Sequence, residues 1–242
     1  MGDALTHAIV APKYTNCVEA CVDAEFVACM VCACSSVITG VKPSELFGFA
    51  PRGRRFDVSP ESLRALAQEA TTVYAQGLAD APVHLTPLGV YRGRQMMLCW
   101  RPEAMQSLLA DSDTLAFLEE YNFDTSSPEE LVQSAAERLS DFYAGRRAAP
   151  KSTRAAGGYA ASAFPHEVGV LLGFPVSDVR EYMAHAGGGE RVCGPWKVYG
   201  DVDKATRSFA RFARAKKRCA QLSSKGYSVR DLIREHQARD LR

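Results

Sequence analysis

The sequence predicts an α+β fold: a helix-dominated single domain with a small antiparallel sheet. Three observations lead there. Apolar residues recur at helical spacing over about eight segments, the pattern of helices that bury one face. Only three stretches read as extended, and two of them, "PVHLTPLGVY" and "RQMMLCWR", flank Arg92-Gly93, a hairpin turn signal. Finally, 242 residues at 47% hydrophobic and 24% charged can bury a proper core. Neither an internal repeat nor a composition break divides the chain, and residues 48–58 and 144–163 read as loop insertions.

Taken in order, residues 17–34 read as a mostly buried helix. A 100° step places Cys17, Cys21, Cys29 and Cys32 in one arc of about a third of a turn. Their spacing matches no zinc ribbon or iron–sulfur run, so they are expected to pack as small hydrophobes. Residues 43–47 suggest a short helical turn. A helix follows Ser59, which caps it, with Pro60 in its first position and Gly77 at its end. The hairpin is expected at about 83–101. Helices are expected from Pro102, over 115–121 and over 128–143, then a strand at about 191–199, then helices over 203–223 and 228–239.

A net charge of +1 gives no global pull toward nucleic acid or anionic lipid. The longest apolar run, residues 27–34, is far too short to span a bilayer. No signal layout opens the chain, although "MGDALT" fits a myristoylation pattern. These features predict a cytoplasmic protein without a membrane. In a reducing compartment the eight cysteines are left to packing, metal binding or thiol chemistry.

Residues 164–187, "FPHEVGVLLGFPVSDVREYMAHAG", carry the spacing of a helix-turn-helix. Gly173 takes the turn, Gly169 the close approach, and Val168, Leu172, Phe174, Val179 and Tyr182 the packing positions. The second helix, however, offers Ser177, Asp178, Arg180 and Glu181 to a partner. Two carboxylates repel phosphates, so a packed helix pair is the better reading. The stronger basic feature is residues 204–218, with seven Lys or Arg and no Asp or Glu. Lys204, Arg207, Arg211, Arg214 and Arg218 share one helical face and would bind nucleic acid or an acidic partner. Residues 103–141 hold ten carboxylates and one basic residue, an internal match for that charge.

For chemistry, Cys34 ends the first helix before Ser35 and Ser36, where exposed N–H groups would favour a thiolate. His166 follows a proline in a first helical turn, with Glu167 beside it as orienting group. Cys193 precedes the irregular "GPW". Converging, Cys34 would be nucleophile or ligand and His166 base or ligand. Cys34, His166 and Cys193 would alternatively hold a transition metal, zinc or iron, with an open position.

Several motifs resemble an uncharacterised bacterial family, the domain of unknown function numbered 3793. They are Cys34 before a small-residue turn, "KPSELF", a strand ending "WRP", "FPHEVG" and "WKVY". The similarity runs from about Cys34 to Ile233. This chain departs from the pattern at Trp100, where the family has tyrosine, and at Ser35-Ser36, where Ala-Pro is common. The other four N-terminal cysteines have no counterpart in it. The resemblance implies which residues matter and carries no established activity. The residues together favour a small thiol- or metal-dependent site formed by Cys34, His166 and Cys193, and the resemblance tilts that site toward an iron- or redox-linked role. A binding or regulatory protein using the basic helix is the first alternative, and a structural adaptor with no active site the second. Whether the chain is an enzyme stays open at this point.

Overall fold

The computed structural model describes residues 17–52, 59–147 and 163–240, with side chains to 235. The "MGDALT" pattern, residues 53–58 and most of the 144–163 stretch lie outside the described residues. The element order is α1 (Cys17–Ile38), β1 (Ser44–Phe49), α2 (Pro60–Gly77), β2 (His84–Tyr91), β3 (Arg94–Trp100), α3 (Pro102–Ala110), α4 (Ser112–Glu120) and α5 (Pro128–Tyr143). A 3-10 helix (His166–Val170) then leads to α6 (Val176–Ala184), β4 (Val192–Cys193), β5 (Lys197–Val198), α7 (Val202–Ser223) and α8 (Val229–Asp240). The molecule is thus the helix-dominated α+β structure the sequence predicts.

The sheet has the order β1-β3-β2, all antiparallel. Its period of two sorts side chains into two cores. Phe47, Leu85, Met97 and Cys99 face the core built with α1, α2, α7 and α8. Leu88, Leu98 and Trp100 face a second core built with α3, α4, α5 and the 3-10 helix. The central strand β3 is covered on both sides, so it reads as a continuous apolar run, "MMLCW", rather than an alternation.

Most of the local signals act as expected. Arg92 (φ 49°) and Gly93 (φ 76°) form the tight hairpin turn. Ser59, Asp111, Ser127 and Asp201 cap α2, α4, α5 and α7 by accepting from amides at the helix starts. Four expectations need correction. Residues 44–49 form strand β1 rather than a helical turn, because pairing with β3 outweighs the helix preference of Leu and Glu. The late strand is a hairpin of two-residue strands, β4 and β5, separate from the main sheet. Gly48 and Phe49, placed in a loop, end β1. The four upstream cysteines do not fill the core: Cys17 and Cys32 are exposed, and Cys21 and Cys29 are half-buried, while Val22, Phe26, Met30 and Cys34 carry the buried face.

Helix α1 is the hub, packing on β1, α2, α7 and α8. Among the described residues it alone is long and apolar enough to cross a membrane, with mean hydropathy 1.8, and half of that window is buried inside the fold. The uninterrupted run of 27–34 understated this, because isolated polar residues break the run without lowering the average much.

Candidate functional site

The segment 164–200 folds as a unit around Asp178. Pro165 starts the 3-10 helix, which lasts one turn and a half before Gly173 (φ 79°) reverses the chain. Pro175 then opens α6. Gly169 lies where an added Cβ would sit 3.1 Å from both Phe174 and Val179, so the helix-turn-helix spacing does report a close crossing. The first helix of the pair is nevertheless a short 3-10 turn. Of the residues that would face DNA, Arg180 is paired with Glu120, and Asp178 is 3% exposed.

Asp178 accepts hydrogen bonds from the Trp196 indole (2.8 Å) and from the amides of Tyr199 (3.0 Å) and Gly200 (2.8 Å). A buried carboxylate is tolerable only when its acceptor sites are filled in this way. These bonds clamp the β4–β5 hairpin onto α6. Lys197 donates to the Gly187 carbonyl and pairs with Glu190 at 2.9 Å.

Between the clamped hairpin, the 3-10 helix and α6 lies a cavity of about 440 Å³. Its aromatic wall is Phe164, Phe174, Tyr182 and Trp196, and His166 and Cys193 also line it. The His166 ring packs between Phe164 (5.2 Å between centroids) and Tyr182 (4.7 Å). Burial lowers its pKa; Glu167 opposes that effect and Arg147 adds to it. The imidazole is therefore neutral at pH 7, with an acceptor nitrogen, and makes no hydrogen bond to another described residue. Cys193 is exposed at the rim.

The residues singled out from sequence are thus divided. His166 and Cys193 share the cavity, and Cys34 does not line it. Cys34 is 0% exposed in the α1-side core, beside Cys99, and burial first, then that neighbour, pushes its thiol pKa well up. The expected serine turn after Cys34 is also absent, because α1 continues through Ser35 and Ser36 to Ile38. A thiol four residues before a helix C-terminus faces carbonyls, not amides, so the expected thiolate stabilisation does not arise.

Glu167 is likewise not aimed at His166. It is 4% exposed and holds Arg147 at 2.8 Å and Arg138 at 3.4 Å. Arg138 in turn donates to the Tyr121 and Asn122 carbonyls, so Glu167 ties the 3-10 helix to α4 and α5. Among the described residues, no group of three or more His, Cys, Asp or Glu is placed to hold a metal ion. The Cys34–His166–Cys193 zinc or iron site therefore has no geometric basis.

On α7, Lys204, Arg207, Arg211 and Arg214 are exposed, and Arg218 pairs with Glu235 at 2.9 Å. Ala205, Ala215, Cys219 and Leu222 form its buried stripe, with Phe209 and Phe212 half-buried and Ala213 exposed. The large exposed apolar residues among those described are Val90 and Tyr227, in different parts of the fold.

The sequence did not single out Phe164, Phe174, Tyr182 or Trp196 as site residues. The available signal was that the two most recognisable motifs, "FPHEVG" and "WKVY", each bring an aromatic residue next to a candidate polar one. Two other motifs are explained by the fold alone. In "KPSELF", the Ser44 hydroxyl donates to the Leu171 carbonyl (2.6 Å), and Pro43 packs on Gly173. In "WRP", buried Arg101 donates to the Val37 (3.3 Å) and Ile38 (3.4 Å) carbonyls at the end of α1.

The profile of a family described as Protein of unknown function (DUF3793) matches residues 30–233. No curated protein matches the chain, and no solved structure does.

Proposed function

The chain belongs to the family described as Protein of unknown function (DUF3793), which lends it no activity, and we propose from its geometry that it is a thiol-dependent protein acting on a small, largely apolar ligand in the His166–Cys193 cavity. The observation that carries this reading is that these two side chains, 27 positions apart, line one aromatic-walled cavity. A volume of about 440 Å³ suits a planar group of modest size. Tyr182 and the His166 ring supply polar handles on a largely aromatic wall. Cys193 takes the nucleophile role that the sequence offered to Cys34, and neutral His166 is the base able to accept its proton. The protein is read as a single cytoplasmic domain, where an exposed thiol stays reduced.

The test compares iodoacetamide alkylation of Cys193 and of exposed Cys17 in the same chain, resolved by peptide mass spectrometry. Cys193 is expected to react several-fold faster near pH 7, and His166→Gln to remove that advantage. Equal rates at the two cysteines, unchanged in the variant, would falsify the proposal.

A second reading rests on α7. Lys204, Arg207, Arg211 and Arg214 are exposed on one face, and among the described residues Arg207, Arg211 and Arg214 form no ion pair. That surface suits a polyanion, nucleic acid or an acidic protein. Combined Arg207→Glu, Arg211→Glu and Arg214→Glu substitutions should abolish any salt-dependent gel shift with duplex DNA or RNA without changing stability. Lack of a shift by the parent chain at low salt removes this reading.

A further inference from the structure

A second cleft, of about 910 Å³, runs between α1, β1 and α7. Cys29 and Cys32 both line it from α1. The charges on its wall are four cations, Lys42, Arg52, Arg94 and Lys216, against two carboxylates, Glu25 and Glu45. Buried Lys42 pairs with Glu45 at 2.7 Å and the two neutralise each other, which leaves Arg52, Arg94 and Lys216 against Glu25, itself an acceptor from the Arg52 amide at 2.7 Å. The cleft is therefore positive where it is open. The Cys29 thiol and the Arg94 guanidinium donate to the same carbonyl, that of Gly48, at 3.9 and 3.4 Å, which sets a cation beside Cys29.

We infer that Cys29 and Cys32 form a redox-active dithiol that reduces small anionic disulfides in this cleft. Residues three apart on a helix lie on the same face, with Cβ atoms about 5–6 Å apart. A disulfide needs about 3.5–4.5 Å, so α1 must tighten locally to close one. The resulting bond is strained and easily reduced, as a reversible cytosolic disulfide has to be.

The two thiols are unequal in the way such exchange requires. Cys32 is exposed and attacks first. Its thiolate joins one sulfur of the disulfide and expels the other as a thiolate, which takes a proton from water. Cys29 is half-buried, and burial raises its pKa while Arg94 and Arg52 oppose that rise. It stays protonated until the mixed disulfide forms. It then loses its proton to solvent and attacks the Cys32 sulfur, expelling the second thiolate. The protein gives up two electrons and two protons, and the disulfide becomes two thiols.

The test equilibrates the full chain, carrying Cys17→Ser and Cys21→Ser, in oxidised and reduced glutathione at graded ratios. Quenching by alkylation and peptide mass spectrometry follow. The inference expects an internal Cys29–Cys32 disulfide that excess reduced glutathione reverses. It expects Cys29→Ser to trap glutathione on Cys32, and Arg94→Gln to slow the exchange several-fold. A stable glutathione adduct on Cys32 with Cys29 still present would overturn it. So would both thiols remaining free across the whole range of ratios. An unchanged rate in Arg94→Gln would remove the anionic character of the substrate. None of these readouts involves the His166 cavity, so the two proposals stand or fall separately.

Discussion

His166 and Asp178 show how far one side chain's surroundings set its chemistry. Burial lowers the His166 pKa, so the folded protein holds that proton less tightly than the unfolded chain does. The stability linked to the neutral ring is complete above about pH 6.5 and declines as pH falls through the lower, folded-state pKa. A nuclear magnetic resonance titration should therefore give His166 a midpoint below that of an ordinary imidazole. A midpoint at or above the ordinary value would contradict the burial that the cavity argument uses. Asp178 is purely a clamp. Asp178→Ala leaves an indole N–H and two amides without their acceptor, and should cost about 3 kcal/mol in urea denaturation. The emission of Trp196 should shift to the red as the hairpin loosens. At this scale the sequence identified residue types well and their neighbours poorly. The residues around His166 promised a first-turn imidazole, and that is where it sits. Cys34 promised the same chemistry and is sealed beside Cys99, because nothing within a few residues of it encodes which distant strand will cover it.

Among the elements, the turn between the 3-10 helix and α6 is tightly constrained. Gly173 has φ 79°, and a Cβ there would lie 2.7 Å from the Pro43 ring. Gly173→Ala therefore combines backbone strain with a clash, and a loss of about 2–3 kcal/mol is expected in thermal or urea unfolding. A neutral result would mean that the Pro43 loop yields freely. Helix termini and the Arg92-Gly93 hairpin were legible because their determinants are local: a capping hydroxyl or carboxylate, a proline, two residues tolerant of positive φ. Strand β1 was not. "SELFGF" mixes two good helix formers, Glu45 and Leu46, with residues of no strong preference, and its extended form comes from pairing along β3, about fifty positions later. The short β4–β5 hairpin was half visible. Its apolar residues mark an extended path, while the Asp178 clamp that holds it lies in another element.

For the molecule as a whole, the sheet is the partition between two cores, and the alternation in β1 and β3 allots side chains to each. The overall class was readable because helix count and a paucity of extended runs survive local errors. The division into cores was not, since β3 is apolar on both faces and shows no period. The opposed charges of 103–141 and 204–218 meet only in part: Lys204 is close enough to lower the Asp111 pKa, after the stronger effect of Thr114. Arg207, Arg211 and Arg214 face outward, and Arg218 turns to Glu235 on α8.

One feature of the hub helix bears on how the protein is made. Its greasy side is roofed by α7 and α8, which leave the ribosome roughly two hundred residues after it. Throughout that interval the part of α1 that α7 and α8 will cover has no permanent shelter, although Phe26 already has Phe47, Phe49 and Tyr74 beside it, so a nascent chain must either borrow one from a chaperone or linger in sticky, half-built forms. Shortened products that stop before α7 would keep the wound open, and should accumulate as aggregates rather than as a smaller folded protein.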